Sequence, residues 1–181
     1  MDIANRRPTR LALDMLDAQP GMRVLDAGCG TGAAIGSLLE RTSCAVTGVD
    51  PSATMIAAAR RRLGDAADLR QLAIEALPFG NGTFDAVMAL NVLYFCDPDG
   101  ALLHQIYRVL TPGGRLVAYV THRDSMENWP FAREGVHRLF DSHELSTALC
   151  GGGFAQEDVC VHETAITASV TGLLAVAVKQ G

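Results

Sequence analysis

The chain has 181 residues, of which 49% are hydrophobic and 19% are charged. This composition predicts one packed domain over residues 1–181 and excludes a disordered chain, which would bury too little apolar surface. The formal net charge is −5, from 15 basic and 20 acidic residues. We expect no nucleic-acid partner, because that normally requires a basic face, and no membrane span, because no apolar run is long enough.

The cysteines and histidines show no pattern of a disulfide framework or a metal site. The chain has five cysteines, an odd number, without a C-x-x-C pair, and five histidines without a spacing such as H-E-x-x-H. The N-terminal residues lack the apolar region of a signal peptide. We therefore expect no bound metal and a cytoplasmic location.

The first predicted element is an amphipathic helix over residues 8–17. Leu11, Met15 and Ala18 recur at helical spacing and should share its apolar face, with Leu16 beside it. A Pro-Gly pair then ends the helix. The short apolar run that follows predicts a first strand over residues 23–26.

This strand leads into a loop that organises the rest of the chain. Residues 26–32 have the sequence D-A-G-C-G-T-G, with glycine at three alternate positions. Glycine adopts backbone angles closed to other residues and lets a ligand approach the main chain closely. A helix is predicted over residues 31–41, and a strand, a glycine loop and a helix in succession predict a nucleotide-type ligand site.

Two cofactor classes compete for this loop. Gly28, Gly30 and Ala33 match a dinucleotide fingerprint, and 20 residues after Gly30 stands Asp50, where that fingerprint expects a ribose-binding acid. Asp26 argues against a dinucleotide, because a carboxylate about 5 Å from the pyrophosphate would be repelled by roughly 3 kcal/mol at an effective dielectric of about 20. S-adenosylmethionine (SAM) carries a sulfonium and an ammonium group and no phosphate. The acid therefore favours SAM over NAD.

A second strand is predicted over residues 45–49 and a third over 69–73. The helix between them has Pro51 at a suitable first position. Asp50 has two interpretations: it caps this helix, or it accepts hydrogen bonds from both ribose hydroxyls of a cofactor. The glycine loop ahead of it favours the ribose interpretation.

The glycine loop resembles the first motif of the Rossmann-like, class I SAM-dependent methyltransferases. Further segments agree with that family in the same order and extend the resemblance to roughly residues 22–120. They are Val49-Asp50-Pro51-Ser52, Leu77-Pro78-Phe79, Phe84-Asp85-Ala86-Val87 and Leu110-Thr111-Pro112-Gly113-Gly114. The most similar subgroup is the small-molecule methyltransferases of the type 11 domain, which includes quinone-biosynthesis enzymes. The implied fold is α/β and doubly wound in three layers, with a seven-stranded, mostly parallel sheet whose last strand is antiparallel.

The resemblance also implies a set of cofactor-binding residues. They are Asp26, Gly28, Cys29, Gly30, Asp50, Pro51, Ser52, Met55, Ala73, Ile74, Glu75 and Asn91. Family members usually place an acid after the third strand to bind the adenine amino group, whereas this chain has Ala73 there. Glu75, main chain or water would then bind that group, and Ile74 would offer a main-chain N–H to the ring. Met55 would pack either on the adenine or in the ordinary core.

Candidates for catalysis follow the next two predicted strands. A fourth strand over residues 84–90 ends at Asn91, at the edge where ligands of parallel sheets bind. In the family the following side chains face the methyl group, so Asn91, Tyr94 and Phe95 are candidates, with loop packing as the alternative. Asp97-Pro98 should start the next helix.

A turn over residues 111–114 and a fifth strand over 115–121 lead to His122. Its position at the ligand edge makes it the candidate general base, because histidine is the side chain best suited to proton transfer near neutral pH. A surface loop histidine is the alternative. Residues 122–141 mix apolar and polar side chains, which predicts either a lid over the substrate or a helix packed on the sheet.

The end of the chain should complete the sheet. Asp141 and Glu144 have the spacing of a capping box at the start of a last helix. Residues 159–166 and 173–178 then predict a closing hairpin. Strands that alternate with helices are typical of a doubly wound sheet.

The sequence therefore predicts a SAM-dependent methyltransferase that acts on a small molecule by in-line displacement and releases S-adenosylhomocysteine. Because the sulfonium is already activated, the protein mainly positions donor and acceptor and needs no metal. One alternative is a SAM-binding sensor or scaffold without transferase activity. The other is an NAD-dependent oxidoreductase, against which Asp26 and the lack of a substrate domain both weigh. We expect a monomer or a homodimer.

Overall fold

The computed structural model describes residues 2–96, 99–127, 129 and 137–181. Its strands are β1 Arg23–Ala27, β2 Ala45–Asp50, β3 Asp68–Gln71, β4 Phe84–Leu90, β5 Leu110–Thr121, β6 Val159–Ala165 and β7 Thr171–Val178. They form a seven-stranded sheet in the order β3-β2-β1-β4-β5-β7-β6. β7 runs antiparallel to β5 and β6, and the other neighbouring pairs are parallel. The expected sheet, with its last strand antiparallel, is confirmed.

Helices cover both faces of this sheet. They are α1 Asp2–Leu16, α2 Ala33–Leu39, α3 Ala53–Leu63, α4 Ala101–Val109, α5 Arg123–Met126 and α6 Ser142–Gly151. The apolar side chains of α1, α2 and α3 pack together on one face, and those of α4 and α6 pack on the other. The result is the predicted three-layer arrangement. None of the described helices has the length and apolar character needed to cross a membrane.

The first helix begins earlier than predicted and buries part of the predicted face. α1 starts at Asp2, and Pro8 lies inside it, where the proline ring removes one backbone N–H from the helix. Leu16 is buried as predicted, and Leu11 and Met15 are half-buried and pack against the core. Ala12 and Leu13 are also buried, which was not predicted. α1 contacts β4, β5 and β7, and periodicity alone does not reveal this wider contact.

Ser52 caps α3, so Asp50 is not its N-cap and Pro51 is not its first residue. Ser52 Oγ accepts a hydrogen bond from the N–H of Met55 at 3.3 Å. The helix therefore starts after Pro51, which precedes the cap. The Asp50 side chain is left to bind other groups at the end of β2.

The third strand is shorter than predicted. β3 ends at Gln71, and Ala73 precedes a single 3-10 turn, Ile74–Ala76. The predicted turn at 111–114 is part of β5, where the register with β4 shifts. That segment stays in the sheet because it exchanges backbone hydrogen bonds with Lys179, the residue after β7.

Two predictions fall partly or wholly on residues outside the described ranges. α4 begins at Ala101 after the N-cap residue Gly100, and residues 97–98, predicted to start it, are not described. Residues 128 and 130–136 of the predicted lid are also outside the description. The lid over 122–141 therefore stays a prediction.

The predicted end of the chain is confirmed. Asp141 Oδ1 accepts a hydrogen bond from the Glu144 N–H at 2.8 Å, and Glu144 Oε2 accepts one from the Asp141 N–H at 3.0 Å. This reciprocal pair is a capping box at the start of α6. β6 and β7 form the closing hairpin.

Candidate functional site

The candidate site lies at the carboxyl edge of the sheet, between β1 and β4, where the strand order changes direction. Ligands of doubly wound sheets bind at such a switch point. The N–H groups of Gly28 and Cys29 both donate to Val49 O at 2.9 Å. Gly32 N–H donates to Cys29 O at the same distance. These bonds hold the loop after β1 against the end of β2.

Two glycines of this loop meet different constraints. Gly28 has a φ of +81°, and a Cβ added there would lie 2.7 Å from Cγ2 of Val92. Gly30 has a φ of +52°, but a Cβ there would meet nothing within 4 Å. A side chain at Gly28 would therefore clash with the protein. At Gly30 it would occupy open space that a ligand can use to approach the main chain.

The Asp50 carboxylate joins the loops that follow β1 and β2. Its Oδ2 accepts a hydrogen bond from Gly30 N–H at 3.0 Å, and its Oδ1 accepts one from Ser52 N–H at 2.9 Å. Each carboxylate oxygen has capacity for a further hydrogen bond. Asp50 thus presents a pair of oriented acceptors, as the ribose interpretation requires.

Asp26 is a buried carboxylic acid on the same edge. It is 2% exposed, and its Oδ2 has no hydrogen-bond partner among the residues that the structure describes. Burial, assisted by the negative charge of Asp50, raises the pKa of Asp26 to about 7. A cation beside Asp26 would stabilise its charged form and lower that pKa. The site therefore has an electrostatic preference for a positively charged ligand group.

The thiol of Cys29 is not an activated nucleophile. Burial, together with the carboxylates of Asp26 and Asp50, raises its pKa to about 12. Only the thiolate is a strong nucleophile. Cys29 therefore acts as a small neutral side chain in the wall of the site.

These groups line a cavity of about 960 Å³. Small-molecule sites are typically about 300–1,000 Å³, so this one has room for a cofactor and a second small molecule. The predicted cofactor-binding residues on its lining are Asp26, Gly28, Cys29, Gly30, Asp50, Pro51, Ser52, Met55 and Asn91. We call the part formed by residues 26–31 and 50–55 the loop wall.

Another part of the cavity lining was missed at the sequence level. It is formed by residues of α1 and by residues at and just after the end of β4: Arg6, Thr9, Arg10, Leu13, Leu90, Val92 and Phe95. We call this set the helix wall. Phe95 was a candidate from its position after β4, but the α1 residues were not. Arg6 was missed because the helix was expected to begin at residue 8. Thr9, Arg10 and Leu13 lay inside the predicted helix, but periodicity did not show that their side faces a cavity.

The remaining predicted adenine contacts lie beside the cavity and not on its lining. Ile74 is buried, at 3% exposure, and Ala73 and Glu75 flank it in the turn after β3. Leu72 N–H donates to Asp50 O at 3.1 Å, which places the segment next to the loop wall. The adenine roles of these residues stay predictions.

Tyr94 is engaged in holding the backbone at the end of β4. Its hydroxyl oxygen accepts a hydrogen bond from the N–H of Thr121 at 2.6 Å, and the O–H lies 3.4 Å from Asn91 Oδ1. Asn91 has a φ of +59°, and its N–H donates to Tyr119 O at 2.8 Å. Burial raises the pKa of Tyr94. These contacts favour a neutral hydroxyl that positions Asn91. They favour a general base less.

His122 occupies the end of β5, and its ring has neighbours away from the cavity. Nδ1 accepts a hydrogen bond from the Asp124 N–H at 3.2 Å, and Nε2 lies 4.0 Å from Glu163 Oε1. The side chain is 14% exposed. Asn91 lies on the cavity lining, whereas His122 and Tyr94 are not among its lining residues.

The sheet order, the glycine loop after β1 and the acid at the end of β2 together define the class I methyltransferase fold. A family model described as a methyltransferase domain matches residues 25–118. The chain belongs to this methyltransferase-domain family. The match covers β1 through most of β5, and so includes the whole loop wall.

Similar proteins agree with this assignment. The malonyl-(acyl-carrier protein) O-methyltransferase of Enterobacter lignolyticus is 36% identical over 165 residues, which are 86% of this chain and 64% of that protein. The chain spans between 37% and 64% of the length of its curated relatives.

Solved structures of the same fold include a Burkholderia thailandensis 1,6-didemethyltoxoflavin-N1-methyltransferase with bound S-adenosylhomocysteine. It is 25% identical, has a TM-score of 0.78, and the match covers 99% of this chain and 80% of that one. The (4+2)-cyclase SpnF has a TM-score of 0.81 at 20% identity, over 96% of this chain and 81% of that one. At that identity the likeness concerns the fold alone.

Proposed function

We propose that the chain binds SAM in the cavity and transfers its methyl group to a small-molecule acceptor. The observation that carries this proposal is Asp26, a buried carboxyl group on the cavity wall whose Oδ2 has no hydrogen-bond partner among the described residues. A buried carboxylate is stabilised by a cation and destabilised by an anion. The ammonium and sulfonium of SAM meet this requirement, whereas the pyrophosphate of NAD does not.

The loop wall has groups suited to each part of this cofactor. Asp50 would accept hydrogen bonds from the ribose hydroxyls, since its oxygens are already oriented by Gly30 and Ser52. Asp26 would balance the ammonium group, and Met55 would give an apolar contact for the adenine. Gly30 would let the cofactor lie close to the main chain, because no neighbour fills the space beside it.

Bound SAM supplies a methyl group on a positively charged sulfur that is already activated for displacement. The chain then has to orient the two reactants and exclude water. Orientation of this kind supplies up to about 7–11 kcal/mol of rate enhancement. Asn91, held in a left-handed conformation next to the cavity, is suited to positioning, and the apolar residues of the helix wall are suited to excluding water.

The relatives support this proposal. The Enterobacter lignolyticus protein is named an O-methyltransferase, and the Burkholderia thailandensis structure holds S-adenosylhomocysteine together with 1,6-didemethyltoxoflavin. Both names describe methyl transfer to a defined acceptor. Neither name identifies the methyl acceptor of this chain.

A methyl-transfer assay tests the proposal. The purified protein is incubated with SAM labelled on its methyl group and with a small-molecule extract, and SAM binding is measured in parallel by titration calorimetry. We expect SAM binding and label in a small-molecule product. Binding without transfer to any fraction would identify a sensor or scaffold, and a lack of SAM binding would overturn the cofactor assignment.

A further inference from the structure

The helix wall contains two arginines on one face of α1. Arg6 and Arg10 are four residues apart, and Thr9 and Leu13 complete the row that lines the cavity. Residues three and four apart lie on the same side of a helix, about one turn from each other. Leu13 is buried with Ala12 and Leu16, which hold α1 on the sheet, whereas Arg6 and Arg10 are exposed. The arginines are therefore placed toward the cavity and are not used to dock the helix.

Neither arginine is neutralised by the rest of the described protein. Arg6 and Arg10 are exposed, and neither forms an ion pair or a side-chain hydrogen bond with a residue that the structure describes. Arg41, also on the cavity, is paired with Asp14 at 2.8 Å between Nη1 and Oδ1. Like charges four residues apart repel each other on a helix. An anion between Arg6 and Arg10 would relieve that repulsion.

The chemistry of these side chains selects the ligand group. A guanidinium binds a carboxylate or a phosphate through two parallel hydrogen bonds, and two guanidinium groups together present more donors than one small anion needs. Next to them the wall is apolar: Leu13 and Leu90 contribute aliphatic surface, and Phe95 presents an aromatic ring that is 54% exposed. The helix wall thus combines an anion site with an apolar surface.

We propose that Arg6 and Arg10 bind an anionic group, a carboxylate or a phosphate, of the methyl acceptor, whose apolar part packs on Leu90 and Phe95. This inference rests on the proposed function, because it assigns the helix wall to the acceptor and the loop wall to SAM. It gives the acceptor a chemical class: an amphipathic anion. The rival source of the same chemistry is the carboxylate of SAM itself.

The test uses the double variant R6Q/R10Q and the matched control R7Q. Arg7 is exposed on the same helix and is not among the cavity-lining residues. A small-molecule extract is first separated on an anion exchanger into anionic and neutral pools. Part of the anionic pool is treated with phosphatase. Each pool is then incubated with labelled SAM, and SAM affinity is measured by calorimetry for every variant.

We expect the wild-type protein to label the anionic pool. R6Q/R10Q should reduce that labelling by about tenfold or more, because charge-assisted hydrogen bonds are lost. Its SAM affinity should stay within a factor of about two, and R7Q should behave as wild type. Labelling that survives phosphatase treatment identifies a carboxylate, and labelling that is lost identifies a phosphate. Both results fit the proposal.

Three outcomes would overturn it. Labelling of the anionic pool that is as strong with R6Q/R10Q as with wild type would show that the arginines do not bind the acceptor. Labelling confined to the neutral pool would show that the acceptor has no anionic group. A fall of about tenfold or more in SAM affinity of R6Q/R10Q, with R7Q unchanged, would show that the arginines hold the cofactor carboxylate. If wild-type protein labels neither pool, the proposed function fails, and this inference fails with it.

Discussion

The two walls of the cavity are built in different ways. In the loop wall, main-chain groups and the Asp50 carboxylate satisfy each other over a short stretch: Asp50 accepts from Gly30 and Ser52. In the helix wall, side chains come together from α1 and the end of β4, about 80 residues apart in sequence, through the packing of α1 on the sheet. The geometry of a wall that is held by local hydrogen bonds is determined by the sequence of that segment. The geometry of a wall that is formed by packing depends on how distant elements dock.

The difference leads us to expect that the loop wall controls SAM affinity and that substitutions elsewhere leave it nearly unchanged. The largest effect should come from Asp50. Asp50→Ala removes two oriented charged acceptors, and SAM affinity should fall by roughly 3–5 kcal/mol, more than about a hundredfold. Titration calorimetry measures this loss. Circular dichroism should show an intact fold, because Ser52 and not Asp50 caps α3.

Asp85→Ala is the matched control for that variant. Asp85 Oδ2 accepts the N–H of Arg23 at 2.7 Å, at the other end of the sheet. Its loss should affect stability and leave SAM affinity unchanged. Equal affinities for wild type and Asp50→Ala would reduce Asp50 to a loop-ordering residue.

Asp26 should make both stability and binding depend on pH. Unfolded, it ionises near the ordinary value of 3.8, but folded it keeps its proton to about 7. Between these values the folded state binds more protons, so its stability falls as pH rises, by a total of about 4 kcal/mol from this one group. Asp26→Asn should remove that dependence. Denaturant unfolding at a series of pH values measures the difference between the two proteins.

Asp26 also predicts that SAM affinity rises with pH, whereas stability falls. A cationic ligand favours the ionised form of Asp26, so wild-type affinity should rise between about pH 6 and pH 8, whereas Asp26→Asn should bind more weakly with little pH dependence. Below about pH 4 the unfolding free energies of the two proteins should converge. Parallel stability curves over the whole range would show that Asp26 is already ionised in the folded protein.

The effect expected at Tyr94 is smaller than the effects at Asp50 and Asp26 and larger than the effect at His122. Tyr94→Phe leaves the buried N–H of Thr121 without its acceptor, which should cost about 1–3 kcal/mol of stability. SAM affinity should change by no more than about tenfold, because only the positioning of Asn91 is altered. Tyr119→Phe is the control, since that hydroxyl makes a longer contact, 3.5 Å, with the side chain of Thr121. Equal stability losses in the two variants would contradict the role given to Tyr94.

The smallest effect is expected at His122. Because His122 is not among the cavity-lining residues and its Nδ1 accepts the Asp124 N–H, His122→Ala should leave SAM affinity unchanged. Turnover should fall by less than about tenfold, whereas a general base would cost about 10²–10⁴-fold. His104→Ala, on the exposed side of α4, is the control. A loss in the larger range, with a missing limb in the pH–rate profile, would establish the catalytic role that the sequence suggested.

The same contrast explains what could be predicted from the sequence. The residues predicted in the first two loops, among them Asp26, Gly30 and Asp50, lie on the cavity lining, because they belong to two short loops whose chemistry is local. Their contacts with the cofactor stay predictions. The seven-stranded sheet with its last strand antiparallel followed from the family resemblance and was confirmed. The apolar face of α1 was predicted in part: Leu16 is buried as expected, whereas Ala12 and Leu13 are buried by contact with β4, β5 and β7. Arg6 was missed because Pro8 was taken as the helix start, whereas the helix runs through it. Arg10 lay inside the predicted helix, and its place on the cavity depends on how α1 docks.

The most direct test of the account compares SAM with NAD as ligands of the unmodified protein. A ligand at about 100 times its dissociation constant stabilises the folded state by roughly 2.7 kcal/mol. For a chain of this size SAM and S-adenosylhomocysteine should therefore raise the Tm by roughly 5–10 °C, and NAD should leave it unchanged. A thermal scan in which SAM produces no shift, or in which NAD produces one, would contradict the assignment of the loop wall to SAM.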